Sequence, residues 1–272
     1  MEDSLIKNDL LVVLVLYEKG LLESVAYKSL TAIGDFTFLV YDNSPRPHDV
    51  PRKATLTYRH DPLNPGVSKA YNIGAELAIK KNKKWMLLAD QDTVFPPTLF
   101  SDYSSAIENN AQMNVFVPTL YDSKGVVSPF QLRWGKGRRI KEIKPGMYSF
   151  GKFKIINSGM LISITAFTKV GGYDERFPLD YSDIRFSDRL CMNDPDFVLI
   201  PSRCQHNLSA TNEGRNVFAE MDRFKSFCKA VRLYKEVSIQ FVSPAWVILP
   251  RAIKLCMRIK DFGFLKMAWQ ND

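Results

Sequence analysis

Apolar residues in this chain fall into short unbroken blocks that end abruptly in polar or charged residues, with helically spaced stretches between them. The block Leu10 to Tyr17 (LLVVLVLY) lacks the alternation of a half-exposed strand, so it reads as a strand buried on both faces. Gly20 breaks it, and Leu22, Val25, Ala26, Ser29, Leu30 and Ile33 then recur at helical spacing up to Gly34. Phe36 to Tyr41 is a second strand, ending in Asp42-Asn43-Ser44-Pro45. Strand, helix and strand in this order form the unit of a parallel sheet with a right-handed crossover. Leu56 to Arg59 makes a third strand, and a helix follows from about Val67 to Lys81 with Ala70, Ile73, Leu77 and Ala78 on one face. Trp85 to Ala89 is another buried strand, and it runs straight into Asp90-Gln91-Asp92.

The second half is less regular. Leu99, Tyr103, Ala106 and Ile107 give a helix stopped by Asn109-Asn110, and Val115 to Leu120 resumes strand character. Arg133 to Lys141 is basic, glycine-rich and without clear periodicity, which predicts a loop, either over a ligand site or simply solvated. Phe153 to Ile164 reads as a central strand with Asn157-Ser158-Gly159 at its middle, and Phe197 to Pro201 as a short strand. A helix from Arg215-Asn216 to about Val237 buries Phe218, Met221, Phe224, Phe227, Cys228 and Val231 on one side. In the tail from Val242, one helix would carry Arg251, Lys254 and Arg258 on one side and Ala252, Leu255, Cys256 and Ile259 on another. Such a helix either lies on an anionic membrane surface or packs on the rest of the chain. The fold class is α/β: a mostly parallel central sheet flanked by helices, with a C-terminal helical tail.

Composition changes this picture little. A chain of 272 residues with 46% hydrophobic and 24% charged residues has enough apolar surface for one large α/β domain or two small ones. The net charge of +8 invites anionic partners such as nucleotide diphosphates or an acidic membrane surface. Nucleic acid is not expected, because one short basic patch brings no recognition module with it. Cys191, Cys204, Cys228 and Cys256 show no C-x-x-C pair, so free thiols in a reducing cytoplasm are expected. Met-Glu-Asp-Ser is no basic signal-peptide start, and the apolar block 10–17 is too short to span a bilayer.

The chemistry gathers where strands end. In open α/β sheets ligands bind beyond the strand carboxyl ends, which puts Asp42, Asp90 and Asp92 on one rim. Two carboxylates one residue apart call for a positive neighbour, and Mg²⁺ or Mn²⁺ with a diphosphate supplying further oxygens meets that need. Two solvated acids in a turn satisfy the same three residues. Asp42 can accept from a base N–H or a ribose hydroxyl, or close its strand as an Asx-turn. Gly74 inside a helix costs about 1 kcal/mol against alanine, so a close approach of backbone or ligand is expected there. A lone His206 is by itself more often structural than functional.

The succession Asp42-Asn43-Ser44, then Asn64-x-Gly66-x-x-x-Ala70-x-Asn72-x-Gly74, then Leu87-Leu88-Ala89-Asp90-Gln91-Asp92 resembles family 2 of the nucleotide-sugar glycosyltransferases, in its bacterial rhamnosyltransferase-like branch. Gly171-Gly172-Tyr173-Asp174-Glu175 is similar to that family's Gly-Gly-Phe-Asp-Glu block, and the matching blocks cover about residues 8–235. The resemblance implies a GT-A fold over 1–237, with a nucleotide half (about 1–120) and an acceptor half (about 121–237), followed by a basic helical tail at 238–272. It places Tyr17, Asp42, Asn64, Gly66 and Asp90 around the nucleotide, Asp92 and His206 on the metal, and the catalytic base at Asp183, with Asp180 as its competitor. Ser182 and Arg185 depart from the residues common at those places and bear on acceptor specificity. The implied activity is inverting, metal-dependent transfer of a sugar from a nucleoside diphosphate to a hydroxyl of a lipid-linked bacterial surface glycan, for O-antigen or capsule. The donor implied is dTDP-rhamnose first and a UDP-hexose next, and the setting is the cytoplasm or the inner-membrane surface.

Two other classes stand beside it. A nucleotidyltransferase-like, metal-dependent nucleotide-binding enzyme should open with a glycine- and arginine-rich phosphate loop, whereas residues 10–20 hold one glycine and no arginine. A non-catalytic glycan-binding protein would have no use for Asp90, Asp92 and Asp183 together.

Overall fold

A computed structural model describes residues 7–206, 217–238 and 243–269. The chain divides into two compact units, the first running to Phe130 and resuming at Arg139, the second made of Gln131–Arg138 and the chain beyond Leu208.

In the first unit the elements follow in order as β1 (Leu10–Leu16), α1 (Val25–Ile33), β2 (Thr37–Asp42), β3 (Leu56–His60), α2 (Val67–Lys80), β4 (Trp85–Asp90), β5 (Thr93–Val94), α3 (Leu99–Asn109), β6 (Val115–Asp122) and β7 (Gly125–Ser128). The hairpin β8 (Gln131–Arg133) and β9 (Lys136–Arg138) belongs to the second unit. The first unit then continues with β10 (Gly146–Ser149), β11 (Leu161–Ser163), α4 (Ile164–Lys169), α5 (Ser182–Asn193) and β12 (Asp196–His206). Its sheet runs β10-β12-β6-β11-β4-β1-β2-β3, with β5 added to β12 and β7 to β6. β1 is parallel to both β2 and β4, and β12 is parallel to β6. Because β11 is antiparallel to both β4 and β6, the carboxyl ends of β1, β2, β4 and β12 all reach the same rim.

The unbroken apolar blocks are explained by helices on both faces. Leu11, Val13 and Val15 of β1 pack in a cluster with Ala70, Tyr71 and Ala75 of α2 and Phe186 of α5. Leu10, Val12, Leu14 and Leu16 pack in a second cluster with Tyr27 and Leu30 of α1 and Phe100 and Tyr103 of α3. A strand with both faces buried needs no polar alternation, and each fully buried side chain contributes about 1.5–3 kcal/mol. Gly74 lies where α2 crosses β1, and a Cβ there would drive into Val13 Cγ2. The close approach expected at this glycine is therefore to a strand side chain.

Two expectations for the second half are corrected. The strand foreseen over 153–164 exists only as Leu161–Ser163. Gly159 takes φ +81° against Pro118, which no extended run tolerates, and Ser163 caps the short helix α4 by accepting from the Ala166 N–H at 3.1 Å. The basic run 133–141 is not aperiodic, because β8 and β9 pair across Trp134 (φ 51°) and Gly135 (φ 79°). Two successive positive φ angles make the tight turn that matches strand twist, and a tryptophan in the first of these positions is not a usual sign of it. Beyond this hairpin, Arg139 grips Asp122 with two bonds of 2.6 Å each, which pushes the Asp122 carboxyl down to about 2.

The second unit adds α6 (Val217–Val237), α7 (Ala245–Ile259) and α8 (Gly263–Trp269). Phe224 of α6 meets Phe264 of α8 edge to face at 5.6 Å. The tail is two helices, since Lys260 adopts φ 60° and closes α7. The apolar side foreseen there, Ala252 and Leu255, is buried within the unit. Of the basic side, Arg251 lies over the Phe227 ring at 4.0 Å and Arg258 pairs with Glu220 at 2.9 Å. No helix among the described residues is long and apolar enough to cross a membrane. The four cysteines are free thiols.

Candidate functional site

Asp90 ends β4 and Asp92 immediately precedes β5, with Gln91 between them bonded to Tyr17. The Gln91 side-chain amide accepts from the Tyr17 N–H at 2.9 Å and donates to the Tyr17 carbonyl at 3.1 Å. Its backbone carbonyl accepts from Ser24 Oγ at 3.0 Å. The middle residue of Asp-Gln-Asp thus ties the end of β4 to the end of β1 and fixes Tyr17 beside it. Both carboxylates are left to the site.

A hydroxyl chain joins Asp90 to His206. The Asp90 N–H donates to Ser158 Oγ at 3.0 Å, Ser158 Oγ is 2.7 Å from Thr93 Oγ1, and Thr93 Oγ1 is 2.7 Å from His206 Nδ1. Pairing of β5 with β12 sets His206 opposite Thr93 and leaves the residue 4% exposed. If Nδ1–H donates to Thr93 and Thr93 to Ser158, the neutral ring keeps its Nε2 lone pair for a metal. Asp92 Oδ1 lies 3.5 Å from His206 Nδ1, so carboxylate and imidazole are neighbours. No group of three or more such donors occurs among the described residues. One carboxylate and one imidazole suit Mn²⁺ with substrate and water oxygens completing the shell, and suit Mg²⁺ less because it favours oxygen throughout.

Asp42 is differently placed. It is fully buried, accepting at Oδ1 from the Ser44 N–H (2.9 Å) and at Oδ2 from the Tyr58 hydroxyl (2.7 Å), with His48 Nδ1 2.9 Å away. Burial alone would raise its pKa, but the bonds from Ser44, His48 and Tyr58 outweigh it and hold the carboxyl below its usual range. The carboxylate is enclosed by its own chain, and its partner His48 is partly exposed, its side chain at 28% against 0% for Asp42. Neither His48 nor Tyr58 was singled out from sequence, where they stand in unremarkable surroundings.

Asn64 (φ 48°) is exposed in the turn before α2, its N–H donating to the Asp61 carbonyl at 3.2 Å. Gly66 (φ 88°) presses against the Pro178 backbone, where any side chain would collide with the carbonyl. The Val67 N–H donates to that carbonyl at 2.7 Å, and Ser68 Oγ donates to the Phe177 carbonyl at 2.5 Å. Asn72 completes the seam: Oδ1 accepts from the Tyr173 N–H at 2.8 Å, and Nδ2 donates to the Tyr173 carbonyl at 3.1 Å. The two sequence blocks 64–74 and 171–179 are therefore one structural feature, the amino end of α2 locked to the loop that leads into α5.

That loop delivers Asp183. Tyr181 adopts φ 63° and α5 starts at Ser182, so Asp183 stands in the first turn with Oδ1 accepting from the Ile184 N–H at 2.8 Å. Burial, helped by repulsion from Asp180 and Asp90, pushes its pKa up to about 7. The Asp90 carboxyl is also raised, chiefly by burial and further by Asp92, while His206 works the other way. Tyr71 and Tyr173, ring centroids 5.1 Å apart, lie within the field of both Asp90 and Asp183. The Tyr71 hydroxyl donates to Asp90 Oδ1 at 3.0 Å, and the Tyr173 hydroxyl to Asn157 Oδ1 at 2.7 Å. Asp90 is thus near enough to Asp183 to raise it, and both carboxylates, half-buried, lie near the buried rings of Tyr71 and Tyr173. Arg185 turns to the other side of α5, 3.6 Å from Asp174, which also binds Arg176 at 2.8 and 2.7 Å.

No family model matches the chain, and no curated protein matches it by sequence. Solved structures do match. One is a crystal structure of GalNAc-T7 with UDP, GalNAc and Mn²⁺, at TM-score 0.51 and 14% identity, covering 72% of this chain and 43% of that one. Another is S. aureus TarS, at TM-score 0.52 and 14% identity, covering 83% of this chain and 38% of that one. A third is S. aureus TarS 1-349 in complex with UDP-GlcNAc, at TM-score 0.52 and 14% identity, covering 82% and 65%. The chain spans less than half the length of the first two. At these identities the likeness is one of fold, and the fold is GT-A.

Proposed function

We propose that this chain is an inverting, metal-dependent glycosyltransferase of the family 2 type, transferring a sugar from a nucleoside diphosphate to a hydroxyl of a lipid-linked surface glycan. The observation that carries the reading is the grouping of Asp183, whose carboxyl is pushed up to about 7 by burial, Asp180 and Asp90, with Asp90 and the Asp92–His206 pair. A general base works best when its pKa lies near the working pH. In the proposed role Asp183 takes the acceptor proton while the acceptor oxygen attacks the anomeric carbon from the face opposite the phosphate. One displacement inverts that centre and requires no enzyme nucleophile. Asp90, held by Tyr71, faces the nucleotide side, and Tyr17, pinned by Gln91, borders it. Asp92 and His206 Nε2 would hold Mn²⁺, which when bound offsets the charge that develops on the departing diphosphate.

Donor and acceptor are read from the sequence pattern and the structures of similar fold. The rhamnosyltransferase-like sequence pattern favours dTDP-rhamnose, and O-antigen or capsule assembly as the setting. The UDP, GalNAc and UDP-GlcNAc in the structures of similar fold keep a UDP-hexose as the second choice. The test is a panel of sugar nucleotides scored for Mn²⁺-dependent hydrolysis and transfer. One donor should be turned over only with metal, and by wild type but not Asp92→Ala. Turnover of no sugar nucleotide, with nucleoside triphosphates hydrolysed instead, would overturn the reading.

A further inference from the structure

The second unit carries a charge and an exposed surface that the proposed transfer chemistry does not use. Its described residues include thirteen Lys or Arg against four acids, Glu220, Asp222, Glu236 and Asp261, while the whole chain has an excess of only eight. The cationic character of the protein is thus concentrated here. Between Ser243 and Trp269 there are five basic residues and one acid, and that acid, Asp261, is occupied in accepting from the Gly263 N–H at 2.7 Å.

Helix α7 is apolar on two opposite sides. At 100° per residue, Ile248, Ala252 and Leu255 share one side, and they are 2%, 0% and 8% exposed. Trp246, Ile253 and Met257 share the opposite side, and they are 68%, 47% and 71% exposed. One stripe therefore holds the helix in its unit, and the other is unpartnered within it. Phe262 and Trp269, at the two ends of α8, are 80% and 79% exposed. Lys254, Lys260 and Lys266 are exposed among them, and Arg232 and Lys235 line a cavity of about 380 Å³ with Pro244 and Trp269.

We propose that this face docks on an anionic lipid bilayer, with Trp246, Ile253 and Met257 entering the interface and the lysines meeting headgroup charge. Contiguous exposed apolar surface marks an interaction site. Tryptophans that are both apolar and hydrogen-bonding favour the headgroup level, and a rim of lysines whose one acid, Asp261, is bonded to the Gly263 N–H complements anionic lipid. The stripe differs from the Ala252–Leu255 side that the sequence offers for the same purpose, because that side is already buried. The proposal does not depend on the transferase reading.

The test uses the full chain with vesicles of equal phosphatidylglycerol and phosphatidylcholine, and with phosphatidylcholine alone. Wild type should sediment with the first, bind the second at least about tenfold more weakly, and lose the difference in high salt. Brominated lipid should quench its tryptophan emission, which reads insertion without any mutation. The double variant Ile253→Asp/Met257→Asp should weaken binding at least about tenfold, because charge is placed where apolar contact is needed. Leu22→Asp, an equally exposed change in the first unit, should leave binding as it was. Wild type that ignores anionic vesicles, or binds without quenching, overturns the proposal. So does a double variant that binds undiminished, or a wild-type dimer that the double variant dissolves while vesicle binding is absent.

Discussion

Replacing Asp183 with asparagine should make the protein more stable and nearly inactive at once. The asparagine Oδ1 can still accept from the Ile184 N–H, so the local bond in the first turn of α5 persists. What disappears is a charge that burial and the neighbours Asp180 and Asp90 disfavour. A carboxyl raised from the ordinary value near 4 to about 7 has its ionised form penalised by about 4 kcal/mol, taking 1.4 kcal/mol per pKa unit. The sign follows from which state binds the proton more tightly. The folded protein does, so its stability falls as pH rises from the unfolded pKa to about 7, and the loss is complete above that.

Asparagine cannot ionise, so Asp183→Asn escapes this loss. Its advantage over wild type should be small near pH 4, grow up to about pH 7 and stay level beyond, with an increase of roughly 2–3 kcal/mol between pH 5 and pH 8. Urea unfolding of both proteins at the two pH values measures the widening. Single-turnover transfer with saturating donor measures the other half: wild-type rate should rise with pH through about 7, and the variant should lose roughly 10²–10⁴-fold. A stability gap that does not change with pH would refute the buried ionised carboxylate. A variant that transfers at near wild-type rate would refute its use as a base.

Asp92→Ala should abolish most Mn²⁺-dependent nucleoside diphosphate binding by calorimetry, and unchanged binding would move the metal elsewhere. Thr93→Val, which removes the hydroxyl on His206 Nδ1, should cost roughly 10–100-fold in Mn²⁺ affinity, while loss of stability alone would leave His206 a structural role. His48→Ala opens the Asp42 corner and should change nucleoside binding without metal; equal binding would mean that the nucleoside never reaches Asp42. Gly74→Ala should destabilise by about 1–3 kcal/mol in urea unfolding, with partial recovery in Gly74→Ala/Val13→Ala, since the added methyl group meets Val13.

The parts of the fold legible in sequence were those fixed by burial on two faces. β1, β2 and β4 announce themselves because unbroken apolar runs of seven, four and five residues ending at a carboxylate or a turn have few other uses. β11 did not, because the run from Phe153 looks equally apolar while Gly159 takes a left-handed turn against Pro118. The exposed stripe of α7 was hidden for a related reason. Trp246, Ile253 and Met257 count as apolar just as Ala252 and Leu255 do, and only packing decides which side remains outside. Asn72 and Gly66 stand out in the block that carries the family resemblance, but their partners lie more than a hundred positions away, in the loop around Tyr173 and Pro178.

The carboxylates of the rim show where sequence must stop. Asp42, Asp90 and Asp183 are the same residue type, each at or near the end of an apolar or turn segment, yet their environments drive them apart. Asp42 is enclosed by a backbone N–H, a tyrosine hydroxyl and a histidine, so its charge is held in place. Asp90 has one tyrosine hydroxyl and a histidine at longer range, set against burial and Asp92. Asp183 has only backbone donors, the N–H groups of Ile184 and of Asp183 itself, with Asp180 and Asp90 both raising it, and so is pushed up to about 7. Proton affinity in these three is decided by donors from β3, α2 and α5, which only the fold brings together. Like charge added to burial, against backbone donors alone, puts Asp183 where a carboxylate can take a proton and give it up again near neutral pH.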